Sequence, residues 1–188
     1  MKGATLRITG GILCGRRIQV PGGIIRPSMD QMRESVFACL GDLSGCAFLD
    51  VFSGSGAVAL EAASRGAAYV EAVENDPGKR RRLLENVSIS PVRIVCRFMS
   101  AELYAKRAKR SFDFIFLDPP FPYRFKWDLL ERIAASPLVA EGTAVMMHRP
   151  SDDLPEGEMA GLTRRDSREY GRSVVDFFVS TQAGNRTE

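Results

Sequence analysis

The sequence predicts an α/β fold, in which a mostly parallel β-sheet carries helices on both faces and ends in an antiparallel hairpin. From about residue 46, short apolar runs alternate with segments of helical periodicity, an alternation typical of parallel sheets. A glycine-rich turn follows the first of these runs, as it does in many nucleotide-binding α/β folds. Near the C-terminus, the alternating segments 162–169 and 173–179 predict the closing antiparallel pair.

A short hairpin and one helix are predicted to form an N-terminal extension. Residues 5–9 and 17–20 alternate apolar and polar side chains, with glycines between them. Ser28 is placed to cap a helix in which apolar residues follow at helical spacing until Gly41 ends it. We therefore divide the chain into the extension, a main domain and a polar tail, at 1–40, 41–180 and 181–188.

The main domain is predicted to alternate strands and helices before the closing hairpin. Apolar runs bounded by turn residues predict strands at 47–52, 68–73, 92–96, 112–117 and 143–147. Apolar residues at helical spacing predict helices at 54–63 and 78–87, near 100–108, and at 125–135.

The composition is that of a globular protein with one core and excludes a helical membrane protein. Of the 188 residues, 45% are hydrophobic and 26% are charged. No apolar run approaches the ~20 residues that a bilayer span needs, and the first residues lack the apolar core of a signal peptide. We therefore expect a cytoplasmic protein whose four cysteines are reduced thiols.

The stretch 49–56, Leu-Asp-Val-Phe-Ser-Gly-Ser-Gly, predicts a nucleotide site at the end of the first strand of the main domain. Glycines allow a ligand to approach the backbone closely, and the first N–H groups of the following helix point at it. Ligands of open α/β sheets bind at this edge. The candidate cofactor contacts are Asp50, Phe52, Gly54 and Gly56, together with Glu74 as an acceptor for ribose hydroxyls.

The glycines leave the kind of nucleotide open. They also fit the dinucleotide pattern G-x-G-x-x-G/A, with Glu74 twenty residues beyond Gly54. Asp50 favours S-adenosylmethionine, because a negative charge suits its cationic methionine portion and repels a pyrophosphate. The third strand ends without a clear carboxylate or amide, so we expect Met99, or Phe98 beside it, to lie against the adenine ring.

The stretch 112–121 ends an apolar run with Asp118-Pro119-Pro120-Phe121. Neither proline has an N–H and each fixes its own φ, so the backbone leaves the strand stiffly. The Asp118 carboxylate and the Pro119 carbonyl can then accept the two N–H bonds of a planar amine, while the Phe121 ring stacks on its face. A nucleobase with an exocyclic amine fits this arrangement, and we take these four residues as the catalytic candidates.

Basic residues cluster unevenly although the net charge is only +3. Residues 1–33 carry six basic side chains against Asp30 alone. Such clusters suit contacts to phosphates. The candidate RNA-binding residues are Arg7, Arg16, Arg17 and Arg33.

The chain resembles a known family at several of these places. Asp118-Pro119-Pro120-Phe121 matches the [DNS]-P-P-[YFW] motif of methyltransferases that act on exocyclic amines. The wider sequence resembles bacterial 16S rRNA guanine-N2 methyltransferases of the small-subunit methyltransferase D type. The matching segments are 7–11, 15–18, 26–30, 33–37, 49–56, 60–67, 114–121 and 170–171.

This resemblance implies a class I methyltransferase fold, with a Rossmann-like sheet, and S-adenosylmethionine as the methyl donor. It implies a guanine 2-amino group in 16S rRNA as the acceptor, within an assembled or late-assembling small subunit. Arg26 and Ser28 are then expected to close over the cofactor, although the family usually has Thr at position 28. We expect no metal, no membrane contact and a monomer. His148, the sole histidine, stands where the family often has Glu-His, and we expect it to be a strand-end residue without catalytic work.

Several alternatives share part of this pattern. A DNA adenine-N6 or cytosine-N4 methyltransferase also has the Asp-Pro-Pro-Phe motif, but it normally needs a longer target-recognition insert. A release-factor glutamine methyltransferase usually has Asn before the prolines and a larger N-terminal domain. A catalytically idle RNA-binding module requires that the cofactor does not bind, and a nicotinamide dehydrogenase has no use for the motif.

Overall fold

A computed structural model of the chain describes residues 4–20, 27–154, 159 and 161–181, apart from the side chains of 27–29. The predictions for Arg26 and for the Ser28 side chain lie outside these described residues.

The N-terminal extension contains the predicted hairpin and helix. Strands β1 (Thr5–Arg7) and β2 (Arg17–Gln19) pair antiparallel, with a 3₁₀ turn at Gly11–Leu13 between them. Helix α1 (Pro27–Leu40) follows. The hairpin and α1 bury apolar side chains in the same core as the main sheet. The domain boundary after residue 40 remains a prediction.

The main domain alternates strands and helices as predicted, with shifts of a few residues at the ends. Its strands are β3 (Ala47–Val51), β4 (Tyr69–Val73), β5 (Ile94–Arg97), β6 (Phe114–Leu117), β7 (Ala144–Pro150), β8 (Leu162–Tyr170) and β9 (Ser173–Ser180). Its helices are α2 (Ala57–Ser64), α3 (Pro77–Val87), α4 (Ala101–Arg107) and α5 (Lys126–Ala134).

In the described part of the chain, one seven-stranded sheet has the order β5-β4-β3-β6-β7-β9-β8. Strands β3 to β7 are parallel, and β8 and β9 form the antiparallel end. Two buried apolar clusters, one with α1, α2 and α3 and one with α4 and α5, pack against the sheet. The chain runs outward in both directions from β3 and β6, so a crevice is expected at their carboxyl ends.

A buried carboxylate fastens the N-terminal extension to α2. Glu61 is fully buried and accepts hydrogen bonds from the backbone N–H groups of Thr9 and Gly10 and from Arg65. Arg33 lies 3.8 Å from the same carboxylate. These contacts fix the extension rigidly against the sheet domain, because a buried charge needs its partners.

Arg33 differs from its prediction as an RNA-binding residue. Its side chain is only 3% exposed, and it donates to the Arg7 carbonyl oxygen and to Asp30. A guanidinium held in this way cannot reach an RNA phosphate, so Arg33 serves the fold instead. Of its two negative partners, Asp30 is close in the sequence, whereas Glu61 on α2 becomes visible only in the structure.

None of the helices in the described ranges is long and apolar enough to cross a bilayer. The four cysteines are free thiols.

Candidate active site

A cavity of about 1140 Å³ opens at the carboxyl ends of β3, β4 and β6. Its wall joins the glycine turn and the Asp-Pro-Pro-Phe loop, which are far apart in the sequence. Helix α1 contributes Met32, and the β8–β9 turn contributes Tyr170 to Ser173. Tyr170 also bonds to Ser35 of α1, with 2.6 Å between the hydroxyl oxygens, which ties that turn to the extension. The predicted motifs therefore share one space.

The glycine turn after β3 is built to bring backbone close to a ligand. Phe52, Gly54 and Gly56 have φ values of +65°, +57° and +81°, and a positive φ is uncommon for a residue with a side chain. Phe52 and Gly54 line the cavity. A Cβ built on Gly54 would meet nothing nearer than the Phe52 carbonyl oxygen, 3.9 Å away. Gly54 therefore leaves open space where a side chain would intrude.

Gly56 serves packing more than the ligand. A Cβ there would lie 2.8 Å from Leu83 and 3.0 Å from Val87, both on α3. Gly56 is buried and is not among the cavity residues. Its absent side chain lets α2 and α3 approach each other, and its contact with a cofactor remains a prediction.

Asp50 also lies behind the cavity wall. Its carboxylate accepts hydrogen bonds from the Ser53 hydroxyl at 2.6 Å and from the Ala59 N–H at 3.1 Å. The pKa of Asp50 is raised to about 7, chiefly by burial and also by the charges of Asp118 and Glu74, while these two hydrogen bonds act to lower it. Both hydrogen bonds end on Oδ2, so Asp50 holds the turn and the start of α2 through one carboxylate oxygen. Its contact with a cofactor remains a prediction.

Glu74 lies where the prediction put it, at the end of β4 and on the cavity wall. It is 5% exposed and accepts hydrogen bonds from the backbone N–H groups of Gly54 and Asp76, each at 2.8 Å. Lys79 lies 3.7 Å from the carboxylate. Glu74 is thus a fixed acceptor that links the turn after β3 to the turn after β4.

Of the two candidates for the adenine contact, Met99 lines the cavity and Phe98 does not. The Phe98 ring instead packs under the Arg80 guanidinium, 4.6 Å from the ring centre. The wall near Met99 also includes Ser100, Ala101 and Glu102 at the start of α4.

The Asp-Pro-Pro-Phe loop forms the other end of the cavity, and all four of its residues line it. The Asp118 N–H donates to the Val51 carbonyl at 3.2 Å, which ties the loop to β3. The Tyr123 N–H donates to the Pro120 carbonyl at 2.7 Å, and the Tyr123 hydroxyl donates to Glu102. The loop is therefore anchored at both ends, while Phe121 stays 38% exposed.

His148, on β7, is the site residue that the sequence prediction missed. Its Nδ1 lies 2.7 Å from Oδ1 of Asp118. Its ring meets the Phe121 ring edge-on, with 5.6 Å between centres. His148 also lines the cavity. The pairing of His148 with Asp118 depends on β6 and β7 being neighbours. The only signal for it in the sequence was the position of His148 at the end of the fifth predicted strand.

The remaining basic candidates, Arg7, Arg16 and Arg17, are exposed. None of them lines the cavity. Within the described ranges, no group of three or more His, Cys, Asp or Glu side chains is arranged to hold a metal ion.

Comparison with known proteins gives a consistent result. Residues 6–179 match the family described as "Conserved hypothetical protein 95". Ribosomal RNA small subunit methyltransferase D of Escherichia coli K12 is 35% identical over 121 residues, which cover 62% of this chain. The chain spans only 60% of the length of that relative.

Two further proteins match nearly end to end. A Bacillus subtilis protein, provisionally named rRNA methyltransferase YlbH, is 31% identical over 183 residues, or 92% of this chain and 98% of that protein. The solved structure of an E. coli protein, provisionally titled methyltransferase yhhF, has a TM-score of 0.83. It is 24% identical and covers 96% of this chain and 100% of its own, which shows a shared class I methyltransferase fold.

Proposed function

The chain belongs to the family described as "Conserved hypothetical protein 95", and from that premise we propose that it transfers a methyl group from S-adenosylmethionine to the exocyclic N2 of a guanine in 16S rRNA. One observation carries the proposal. The cavity that Gly54 and Glu74 line at one end has Asp118 and Phe121 at the other. A nucleotide cofactor and an amine-bearing base can therefore meet in one space.

The cofactor end fits S-adenosylmethionine. The open space at Gly54 admits a ligand against the backbone, and the Glu74 carboxylate can accept from ribose hydroxyls. Met99 offers an apolar surface for the adenine, and Arg26 and Ser28 remain proposed contacts from the N-terminal side. When bound, S-adenosylmethionine supplies an electrophilic methyl group on a sulfonium.

Asp118 and the Pro119 carbonyl prepare the acceptor. The guanine N2 is a poor nucleophile, because its lone pair is delocalised into the ring. Two acceptors that take both of its N–H bonds favour a tetrahedral nitrogen and stabilise the positive charge that develops on it. Asp118 then removes the surplus proton, directly or through water. Pro120 keeps the loop stiff, and Phe121 stacks on a base that has turned out of its helix.

The substrate is small-subunit rRNA, in assembled or late-assembling subunits, and the enzyme acts as a cytoplasmic monomer. Exposed Arg7, Arg16 and Arg17 supply salt-dependent contacts to the RNA backbone. The name of the E. coli relative, a small-subunit rRNA methyltransferase, supports this class of substrate.

The test is methylation of 30S subunits and of deproteinised 16S rRNA, both from cells that lack this enzyme. Labelled S-adenosylmethionine is the donor, nucleoside mass spectrometry is the readout, and Asp118→Ala is the control. We expect N2-methylguanosine from the wild type alone, and the two substrates show whether ribosomal proteins are needed. Absence of label in both RNAs, with the cofactor still bound, would refute the proposal and direct the search to DNA and then to protein glutamine.

A further inference from the structure

We propose that His148 is the positioning residue of the catalytic loop, fixing both the Asp118 carboxylate and the Phe121 ring; this inference rests on the proposed function. The imidazole contacts the first and the last residue of the Asp-Pro-Pro-Phe stretch at once. It does so from β7, where His148 pairs with Val175 of β9, one residue beyond the last pair between β6 and β7, Leu117 with Met147. A side chain on a rigid strand is a precise support for a loop.

The hydrogen bond to Asp118 fixes the tautomer of the ring. An ionised carboxylate can only accept, so Nδ1 carries the hydrogen and donates it to Oδ1. The other ring nitrogen, Nε2, is buried and has no hydrogen-bond partner in the described part of the chain. Leaving a buried polar atom unpaired costs free energy. An apolar residue would avoid that cost, so the donor at Nδ1 is the feature that explains a histidine here.

The exposure of Asp118 and His148 fits these roles, because the reacting group must reach the substrate while the residue that positions it can be buried. The Asp118 side chain is 29% exposed and the His148 side chain 8%. With Oδ1 held by the imidazole, Oδ2 remains for the substrate amine. Without that bond the carboxylate is free to rotate, and a misplacement of about 1 Å can cost about 100-fold in rate.

The same geometry argues against a proton relay from Asp118 to His148. Nδ1 already carries a hydrogen in the bond to Oδ1, so it cannot accept the proton that Asp118 takes from the amine. The proton must leave Asp118 by its other oxygen or through water. His148 therefore orients the Asp118 carboxylate and does not itself exchange a proton with the substrate.

Steady-state kinetics on the rRNA substrate test this role with a matched pair of variants. His148→Asn keeps an N–H donor near the position of Nδ1, while His148→Leu removes it at similar volume. We expect His148→Leu to lower kcat by about 10- to 100-fold, as losses of orienting partners do at metal sites, with KM for RNA and for S-adenosylmethionine changed by less than about 3-fold. His148→Asn should recover most of the loss.

The Asp118→Ala background separates positioning from folding. If His148 acts through Asp118, adding His148→Leu to Asp118→Ala should lower the residual rate no further. Wild-type kcat in His148→Leu, an equal loss in His148→Asn and His148→Leu, or additive losses in the double variant would each overturn the inference.

A second measurement is independent of the reaction. Because His148 is the sole histidine in the chain, ¹⁵N-histidine labelling gives one pair of imidazole signals in an NMR spectrum. We expect the Nδ1–H tautomer in the wild type and a shift away from it in Asp118→Ala. An Nε2–H tautomer in the wild type would overturn the inference. If the wild type methylates no RNA yet shows the Nδ1–H tautomer, the proposed function fails while the pairing of His148 with Asp118 stands.

Discussion

The two ends of the cavity hold their carboxylates in different ways. At the cofactor end, Glu74 is fixed by two backbone N–H groups, from Gly54 and Asp76. At the base end, Asp118 is fixed by a side chain, His148, which lies thirty residues further along the chain. Backbone donors survive every substitution except proline, whereas a side-chain donor can be lost to a single change. The cofactor end is therefore the more robust of the two.

The difference also separates what each end should control. Under the proposed function, the acid at the cofactor end faces groups that do not react, so its loss should weaken binding. The acid at the base end would act on the reacting nitrogen, so its loss should lower the rate. Changes at the two ends are expected to divide cleanly between cofactor affinity and kcat.

The largest effect is expected from Asp118→Ala. Without the carboxylate, the amine loses an acceptor and the proton loses its destination, so kcat should fall by about 100-fold or more. The Kd for S-adenosylmethionine, from calorimetry, should stay within about 3-fold of the wild-type value, since binding contacts lie at the other end. Asp152→Ala, at an exposed site just after β7, is the control and should change neither quantity. A normal rate in Asp118→Ala would remove Asp118 from the reaction.

The second-largest effect is expected in Glu74→Gln. It is the converse of the first, because cofactor affinity should fall while kcat stays nearly unchanged. The Gln carbonyl oxygen can still accept from the Gly54 N–H, whereas the amide NH2 leaves the Asp76 N–H without its acceptor, and the negative charge offered to the ribose hydroxyls is lost. We expect the Kd for S-adenosylmethionine to rise by about 10-fold, in line with a lost charge-assisted hydrogen bond. At saturating cofactor, kcat should be nearly unchanged. Glu85→Gln, on the exposed face of α3, is the control. A fall in kcat with unchanged Kd would contradict the division between the two ends.

The parts of the site also differ in how well the sequence alone could predict them. The strands and helices, the glycine turn and the position of Glu74 were predictable, because each depends on residues close together in the sequence. The burial of Asp50 behind the turn was not, because only the structure shows that the Ser53 hydroxyl and the Ala59 N–H both donate to its Oδ2.

The partners of Arg33 and His148 were missed for a related reason. A basic residue in a basic segment resembles a phosphate contact until its buried partner, Glu61 on α2, becomes visible. A histidine at a strand end gives no sign of its partner in the sequence, because Asp118 lies beside it only through the neighbouring strand. Both are side-chain pairs formed across elements, which local patterns do not encode.

A smaller effect is expected outside the cavity, in the double variant Arg16→Gln/Arg17→Gln. If these exposed side chains neutralise RNA phosphates, the KM for rRNA should rise several-fold, and the slope of log K against log salt should become shallower by about 1 per lost contact. Cofactor affinity should not change. Arg81→Gln/Arg82→Gln is the control, because it removes the same charge from α3, where both side chains pair with Glu85. An equal effect in both variants would mean that net charge alone draws the RNA.

The smallest effect is expected in Asp50→Asn. This variant tests Asp50 apart from Glu74, the other carboxylate near the glycine turn that accepts a backbone N–H. Burial raises the pKa of Asp50 from 3.8 to about 7, so the folded state binds a proton more tightly than the unfolded chain does. The corresponding stability is fully present below pH 3.8 and is lost as the pH rises through 7. Asn cannot ionise, and its carbonyl oxygen can still accept from the Ala59 N–H. Its Tm relative to the wild type should therefore rise between pH 5 and pH 8, by about 2–5 °C. A Tm difference that is the same at every pH would show that Asp50 carries its charge at no cost.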